Sequence, residues 1–230
     1  MDKTQSPDGF HSQVDSALET MRDLFAETPL QLNDHLSNRY GARVWLKRED
    51  LSPVRSYKIR GAFNFIRKAI EADGGPDTFV CASAGNHAQG FAYVCRHFGR
   101  KGVVFMPVTT PQQKIDKTRT FGGEFIEIRM IGDTFDASYA AAIVYARDHQ
   151  ALMAPPFDHL DIIQGQATVA AEIAAQLPEG QKPDLVILPV GGGGLAAGIT
   201  RYFEDDLDDS AFLFAEPAGA PSLAESLKAG

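Results

Sequence analysis

From Val44 onward, short apolar runs alternate with longer stretches in which apolar residues return every three or four positions. Arg43–Lys47, Phe79–Ala82, Gly102–Met106, Glu124–Met130, Ala151–Met153, Asp184–Val190 and Phe212–Ala215 have the chemistry of strands. The stretches between them read as helices. Ile59, Phe63, Ile66 and Ile70 recur at steps of four, three and four, a single helix face that Asp73-Gly74-Gly75-Pro76 brings to an end. Ala88, Phe91, Ala92, Cys95 and Phe98 share one face of the next helix, with Gly99 as its stop. Thr110 is expected as the N-cap of a third, with Pro111 at the first helical position, Gln113 in the capping-box place and Gly122-Gly123 as the stop. Asp133 or Thr134 opens a helix to about His149, and further helices are expected over Ile162–Leu177, Gly194–Tyr202 and Pro221–Lys228. Strands separated by helices of that length build βαβ units, so the expected class is α/β with parallel sheet.

Composition narrows the functions open to such a fold. Among 230 residues, Lys and Arg number 22 against 30 Asp and Glu, a net charge of −8. With no basic cluster, nucleic acid and anionic membrane surfaces are poor partners. The longest apolar run, Leu185–Ile199, is broken by Pro189 and four glycines, so it reads as strand, loop and helix and not as a membrane span. Met1–Gly9 is polar and lacks the pattern of a signal peptide. Cys81 and Cys95 match no metal or redox spacing and are expected to be reduced, buried thiols of a cytoplasmic protein. The acidic run Glu204–Asp209 reads as a solvated helix end.

Three segments could carry chemistry. Gly191-Gly192-Gly193-Gly194 lies between an apolar strand and a helix, where glycine lets an anion approach the free amides and positive end of the helix. A tight turn needs one or two glycines, and four exceed that need. Gly191, Gly193 and Ala196 also match a dinucleotide fingerprint, with Glu216 near the place of a ribose-binding acid, so a nicotinamide cofactor is a rival at this level. Ser83-Ala84-Gly85-Asn86-His87 joins a strand to a helix, and its amides suit a carboxylate; taken alone, it is more simply an N-cap. Gly85 is expected to permit a tight bend there. Lys58 stands at the start of an amphipathic helix. Most lysines are surface lysines, but at a helix N-terminus, partly buried, the ammonium form is disfavoured, which is what a Schiff-base lysine needs.

In this order, the three segments resemble the pyridoxal phosphate (PLP) enzymes of the tryptophan-synthase-β fold group, and within it the threonine ammonia-lyases. Thr28-Pro29-Leu30, Leu46-Lys47-Arg48-Glu49-Asp50-Leu51, Ser56 to Ala62, Ala82 to Gly90, Pro189 to Leu195 and Glu216-Pro217 carry the resemblance. It implies two open parallel twisted sheets flanked by helices and displaces the nicotinamide reading. It further implies that Lys58 bears the cofactor and acts as the catalytic base. Tyr57 would lie beside the cofactor ring, with Asn86 on the ring oxygen. Gly191, Gly192, Gly193, Gly194 and Leu195 would surround the phosphate, and Ser83, Ala84, Gly85, Asn86 and His87 would hold the substrate carboxylate. The implied reaction is β-elimination of the hydroxyl of threonine or serine, the released enamine becoming a 2-oxo acid and ammonia, at the head of isoleucine biosynthesis or in threonine catabolism.

Ala84 stands where serine racemases of the group carry a second hydroxyl acting as base, which favours elimination. Ser222 replaces an acidic metal ligand of other relatives, so no metal is expected. The resemblance also implies a smaller domain over residues 57–154, a larger one over 1–56 and 155–230 that is incomplete at its C-terminal side, and a homo-oligomer, dimer or tetramer. Alternatives are another enzyme of the group, such as a serine racemase or a β-replacing synthase, and a non-catalytic PLP-binding fragment.

Overall fold

A computed structural model describes residues 7–72, 74–204 and 210–229. Before Val44 the sequence alternation has no counterpart, yet the structure has three elements there: α1 (Pro7–Met21), β1 (Leu30–Leu32) and α2 (Asp34–Tyr40). β2 (Trp45–Lys47) pairs antiparallel with β1, so the expected parallel sheets are joined by a small antiparallel ribbon. Then come α3 (Lys58–Glu71), β3 (Thr78–Ala82), α4 (Asn86–His97), β4 (Lys101–Met106), α5 (Gln112–Gly122), β5 (Ile126–Met130), α6 (Phe135–Asp148) and β6 (Leu152–Met153). α7 (Leu160–Gln176), β7 (Leu185–Pro189), α8 (Gly194–Tyr202), β8 (Ala211–Ala215) and α9 (Ser222–Ala229) complete the order.

β3 to β6 form a parallel sheet in the order β5-β4-β3-β6, and β7 and β8 pair parallel in a second sheet. Period-2 alternation divides the first sheet between two cores. Phe79, Cys81, Val104 and Met106 join the core that also holds Ile59 and Phe91; Val80, Ala82, Val103 and Phe105 face Ala142 and Tyr145 of α6. Both cysteines are free and buried, and burial pushes both thiols up, out of the reactive range.

Thr134 caps α6 through its hydroxyl, which accepts from the Ala137 amide. The expected Thr110 cap is not formed. Pro111 occupies the cap position of α5, and the buried Thr110 hydroxyl has no hydrogen-bond partner. Pro111 holds ψ at 137°, so the helix starts one residue later than the Thr-Pro pattern implies. Gly74 closes the turn after α3 with φ +73°, while Asp73 lies outside the described residues. So do residues 205–209 of the expected acidic helix end.

The first turn of α3 is approached by bare backbone from two sides. A Cβ at Gly90 of α4 would come within 2.9 Å of the Ile59 nitrogen, and one at Gly165 of α7 within 2.6 Å of the Arg60 carbonyl oxygen. α7 is itself buried over Ile162–Glu172 and takes α8 at Gly198 in the same manner. These crossings seat the first turn of α3, where Lys58 stands, closely between α4 and α7. Gly165→Ala forces a methyl against backbone that has no freedom to yield. It is expected to cost about 1–3 kcal/mol in urea unfolding. Gly191→Ala, whose Cβ meets nothing within 4 Å, is expected to leave the urea midpoint in place.

Candidate active site

In an open α/β sheet, ligands bind beyond the carboxyl ends of the strands, where the winding reverses. Here that point lies between β3 and β6: the chain leaves β3 towards β4 on one side and returns from β5 to pair β6 on the other. The loop after β3 is Ser83–Gly85, and the segment after β6 is Ala154–Phe157.

That second segment, which the sequence reading passed over, connects all three expected constellations. The Ala154 carbonyl accepts from His87 Nε2 at 3.2 Å. The Pro156 carbonyl accepts from Lys58 Nζ at 2.7 Å. The Phe157 ring fills the space that a Cβ at Gly192 would need, and its backbone oxygen lies 2.9 Å from the Cβ position of Gly194. Gly192 thus makes room for the Phe157 ring, and Gly194 for the Phe157 backbone. Only Gly193 needs glycine for its backbone, at φ +83°.

Lys58 is partly buried, with Nζ 5.5 Å from the Tyr57 ring centroid and 5.8 Å from that of Phe157. Burial lowers its ammonium pKa from 10.5 to about 8, so about a tenth is neutral at pH 7, far more than for an ordinary lysine. Tyr57 packs on the cluster of Leu188, Val190, Leu195 and Ile199, next to the glycine turn, and burial raises its phenol. His87 is buried, and desolvation, with the Lys58 charge second, lowers its pKa to about 4. Because a carbonyl only accepts, the neutral imidazole carries its proton on Nε2.

Around Ser83–His87, the Ser83 hydroxyl accepts from the Gly85 amide at 3.2 Å, and Asn86 is exposed at the first position of α4. Ala84 is partly buried against the core below. Gly85 has φ −133°, so the expected tight bend does not call for a left-handed residue; a Cβ there would enter open space. α2, α6 and α7 take side-chain caps, whereas α4 and α8 do not. Two helix N-termini with free amides thus open on one cleft beside a half-desolvated amine. The residues fit a phosphate-bearing aldehyde cofactor: an open glycine turn for the phosphate and a neutral amine for the carbonyl.

Glu216 has another task. Its Oε1 accepts from the Leu223 amide at 2.7 Å and the Ser222 hydroxyl at 3.0 Å, and its Oε2 from the Ala224 amide at 3.0 Å. It caps α9, and Ser222 also donates to the Gly191 carbonyl at 2.7 Å. Glu216, the acid that a dinucleotide reading assigns to the ribose, is thus occupied at the start of α9, whose Ser222 braces the glycine turn, so the ribose-binding role falls.

Residues 21–230 match the family described as pyridoxal-phosphate dependent enzymes. The chain belongs to that family. It is 47% identical over 219 residues to the biosynthetic L-threonine dehydratase of Mycobacterium tuberculosis, covering 95% of this chain and 50% of that protein. The chain thus spans about half the length of the curated relatives it matches. Among solved structures it is similar to the processed form of threonine deaminase isoform 2 from Solanum lycopersicum, with TM-score 0.87, 35% identity, and coverage of 98% of this chain and 61% of that one. It is also similar to maize serine racemase, with TM-score 0.86, 26% identity, and coverage of 95% and 64%. The cofactor of this family is PLP.

The buried His87 generates a pH prediction. Its pKa is lowered on folding, so the unfolded chain binds more protons between pH 6.5 and about 4, and the residue's contribution to stability falls as pH drops through that window. Lys58, lowered from 10.5 to about 8, acts only above this window; Glu172, lowered from 4.5 to about 2, begins to act at its lower edge but is common to wild type and variant and cancels in their comparison. In His87→Gln, whose amide can still donate to Ala154, the loss of urea midpoint between pH 6.5 and 4.5 is expected to be smaller than in the wild type.

Proposed function

We propose that this site catalyses β-elimination of water from L-threonine, the enamine so released taking up water again to give 2-oxobutanoate and ammonia, and that it converts L-serine to pyruvate and ammonia in the same way. The observation that carries the reading is the Ala154–Phe157 segment, which brings the Lys58 amine, the Ser83–His87 loop and the glycine turn to one cleft. The similarity to named threonine dehydratases and deaminases supports the substrate class.

In this reading the free amides at the start of α8, through Leu195, bind a phosphate, with Gly191 and Gly193 leaving the approach open. Asn86, exposed at the head of α4, reaches a polar group on the ring, and Tyr57 flanks it. The amides of Ser83–His87 bind the substrate carboxylate, which fixes the orientation of the Cα–H bond. When bound, the cofactor supplies an electron sink for the charge left at Cα. Lys58, neutral in part, would hold the cofactor's carbonyl end and, as base, would remove the Cα proton and give a proton to the departing β-hydroxyl. His87 is not the base: its one proton is committed to Ala154, and burial disfavours a second. Ala84 places no hydroxyl on the opposite side of the loop, which separates this site from a racemase.

The fold is read as two units, residues 57–154 around the four-stranded sheet and 1–56 with 155–230 around β7 and β8, with the cleft between. Support comes from the separate sheets and the distinct cluster around Leu188 and Ile199. Among the described residues no helix is long and apolar enough to cross a membrane. A cytoplasmic homo-oligomer working in isoleucine biosynthesis fits this reading.

Purified chain loaded with PLP and given L-threonine should release 2-oxobutanoate. Lys58→Ala should reduce the rate by at least about a thousandfold and abolish borohydride trapping of cofactor on the peptide carrying residue 58. Normal trapping in that variant would refute the assignment. Gly191→Ala, which keeps the fold but fills the approach to the turn, should weaken cofactor binding roughly tenfold or more, read from the absorbance of the bound group.

A further inference from the structure

Several motif residues have no part in the cleft: Thr28, Lys47, Glu49 and Arg60. The structure brings them into one buried ionic knot. Arg60, the third residue of α3, is 0% exposed. Its Nε and Nη2 donate to the two Glu49 oxygens, each at 2.8 Å. Nη1 and Nη2 also grip Glu172 of α7 at 3.0 and 2.7 Å, and Thr168 and Thr28 hydroxyls accept at 3.0 and 3.1 Å. Lys47 Nζ bonds Glu172 at 2.6 Å and the Thr28 carbonyl at 2.5 Å, and Arg22 completes the shell around Glu172. Three cations and two carboxylates thus meet below the first turn of α3, drawn from the chain before it and from α7.

We propose that Arg60 is the positioning residue for Lys58: its double carboxylate grip sets the rotation of the first turn of α3, and so aims the Lys58 amine at the Pro156 carbonyl and the glycine turn. The inference rests on the reading of Lys58 as the reacting amine. The Lys58 amine makes one hydrogen bond, to the Pro156 carbonyl, and its backbone amide one to the Ser56 hydroxyl two residues back; neither ties the turn to α7. Arg60 lies two residues on, and the Gly90 and Gly165 contacts leave rotation and sliding of that turn as the remaining freedoms. A planar guanidinium held by two carboxylates removes both, because its fork is satisfied in one orientation only. Stability alone is a poor account of the knot, since desolvation offsets much of the attraction in a buried ion network. Burial lowers the Lys47 ammonium despite its partners, a sign of that cost.

The charged and titratable groups facing these centres are His87 and Tyr57 around Lys58, and Arg22, Lys47, Glu49 and Glu172 around Arg60. The test uses the full chain stripped of cofactor, with the pH dependence of Lys58 modification by an amine-reactive reagent read by peptide mass. Wild type should show a midpoint near 8. Arg60→Lys, which keeps the charge but loses the fork, should move the midpoint upward by a unit or more. That cuts modification at pH 7.5 by roughly tenfold, and PLP absorbance at equal cofactor should fall in parallel. Phe79→Ala, a core truncation that leaves the network intact, should lower the thermal midpoint without moving the titration. Should Arg60→Lys not fold, Glu49→Gln, isosteric and at the edge of the knot, carries the same expectation. Destabilisation by either variant with an unmoved Lys58 titration overturns the proposal and leaves the reading of Lys58 intact. An ordinary wild-type midpoint near 10.5 with no PLP uptake overturns both.

Discussion

Three helices cross at the start of α3 with almost nothing between them but backbone. Gly90, Gly61, Gly165 and Gly198 are the places where side chains have been removed so that α4, α3, α7 and α8 can touch. Everything functional is hung from that stack. α3 presents the amine, α4 presents the loop amides, and α8 presents the glycine turn, so their mutual distances are set by close packing and not by the loops that carry the chemistry. Interiors packed to this density have few intermediate positions, which is why a site of weak individual contacts can be well defined.

The cleft depends on restraint as much as on recognition. Its amine is neutral in part because apolar neighbours and one carbonyl surround it, with no carboxylate close enough to hold it charged. Glu49, which precedes Lys58 in the chain, and Glu172, which α7 brings alongside α3, are both turned into the knot around Arg60. Gathering opposite charges at one end of the helix leaves the other side of the same turn free of them, and a nucleophilic lysine requires that separation.

Much of this was legible in the residues. Element order from Val44 follows from apolar periodicity, and the three segments singled out in the sequence all meet Ala154–Phe157, two of them because they join a strand to a helix at the carboxyl edge of a parallel sheet. What could not be read was distance. α1 has its apolar residues Phe10, Val14 and Ala17 at helical spacing, but a polar start hid them; their burial against α7 is a tertiary fact. Ala154–Phe157 has no motif chemistry at all: it acts through two carbonyls and one ring, and carbonyls are invisible to residue-type reasoning. Phe157 offered one signal in hindsight, an aromatic between prolines and a helix start. Thr110 shows the opposite failure, a cap pattern that the geometry of Pro111 overrides.

The Ala154–Phe157 segment is also the chain's only covalent route from β6 to α7. Its carbonyls and ring touch the amine, the imidazole and the glycine run within four residues, so these three groups share one short stretch of backbone, and a shift of that stretch displaces all three contacts together.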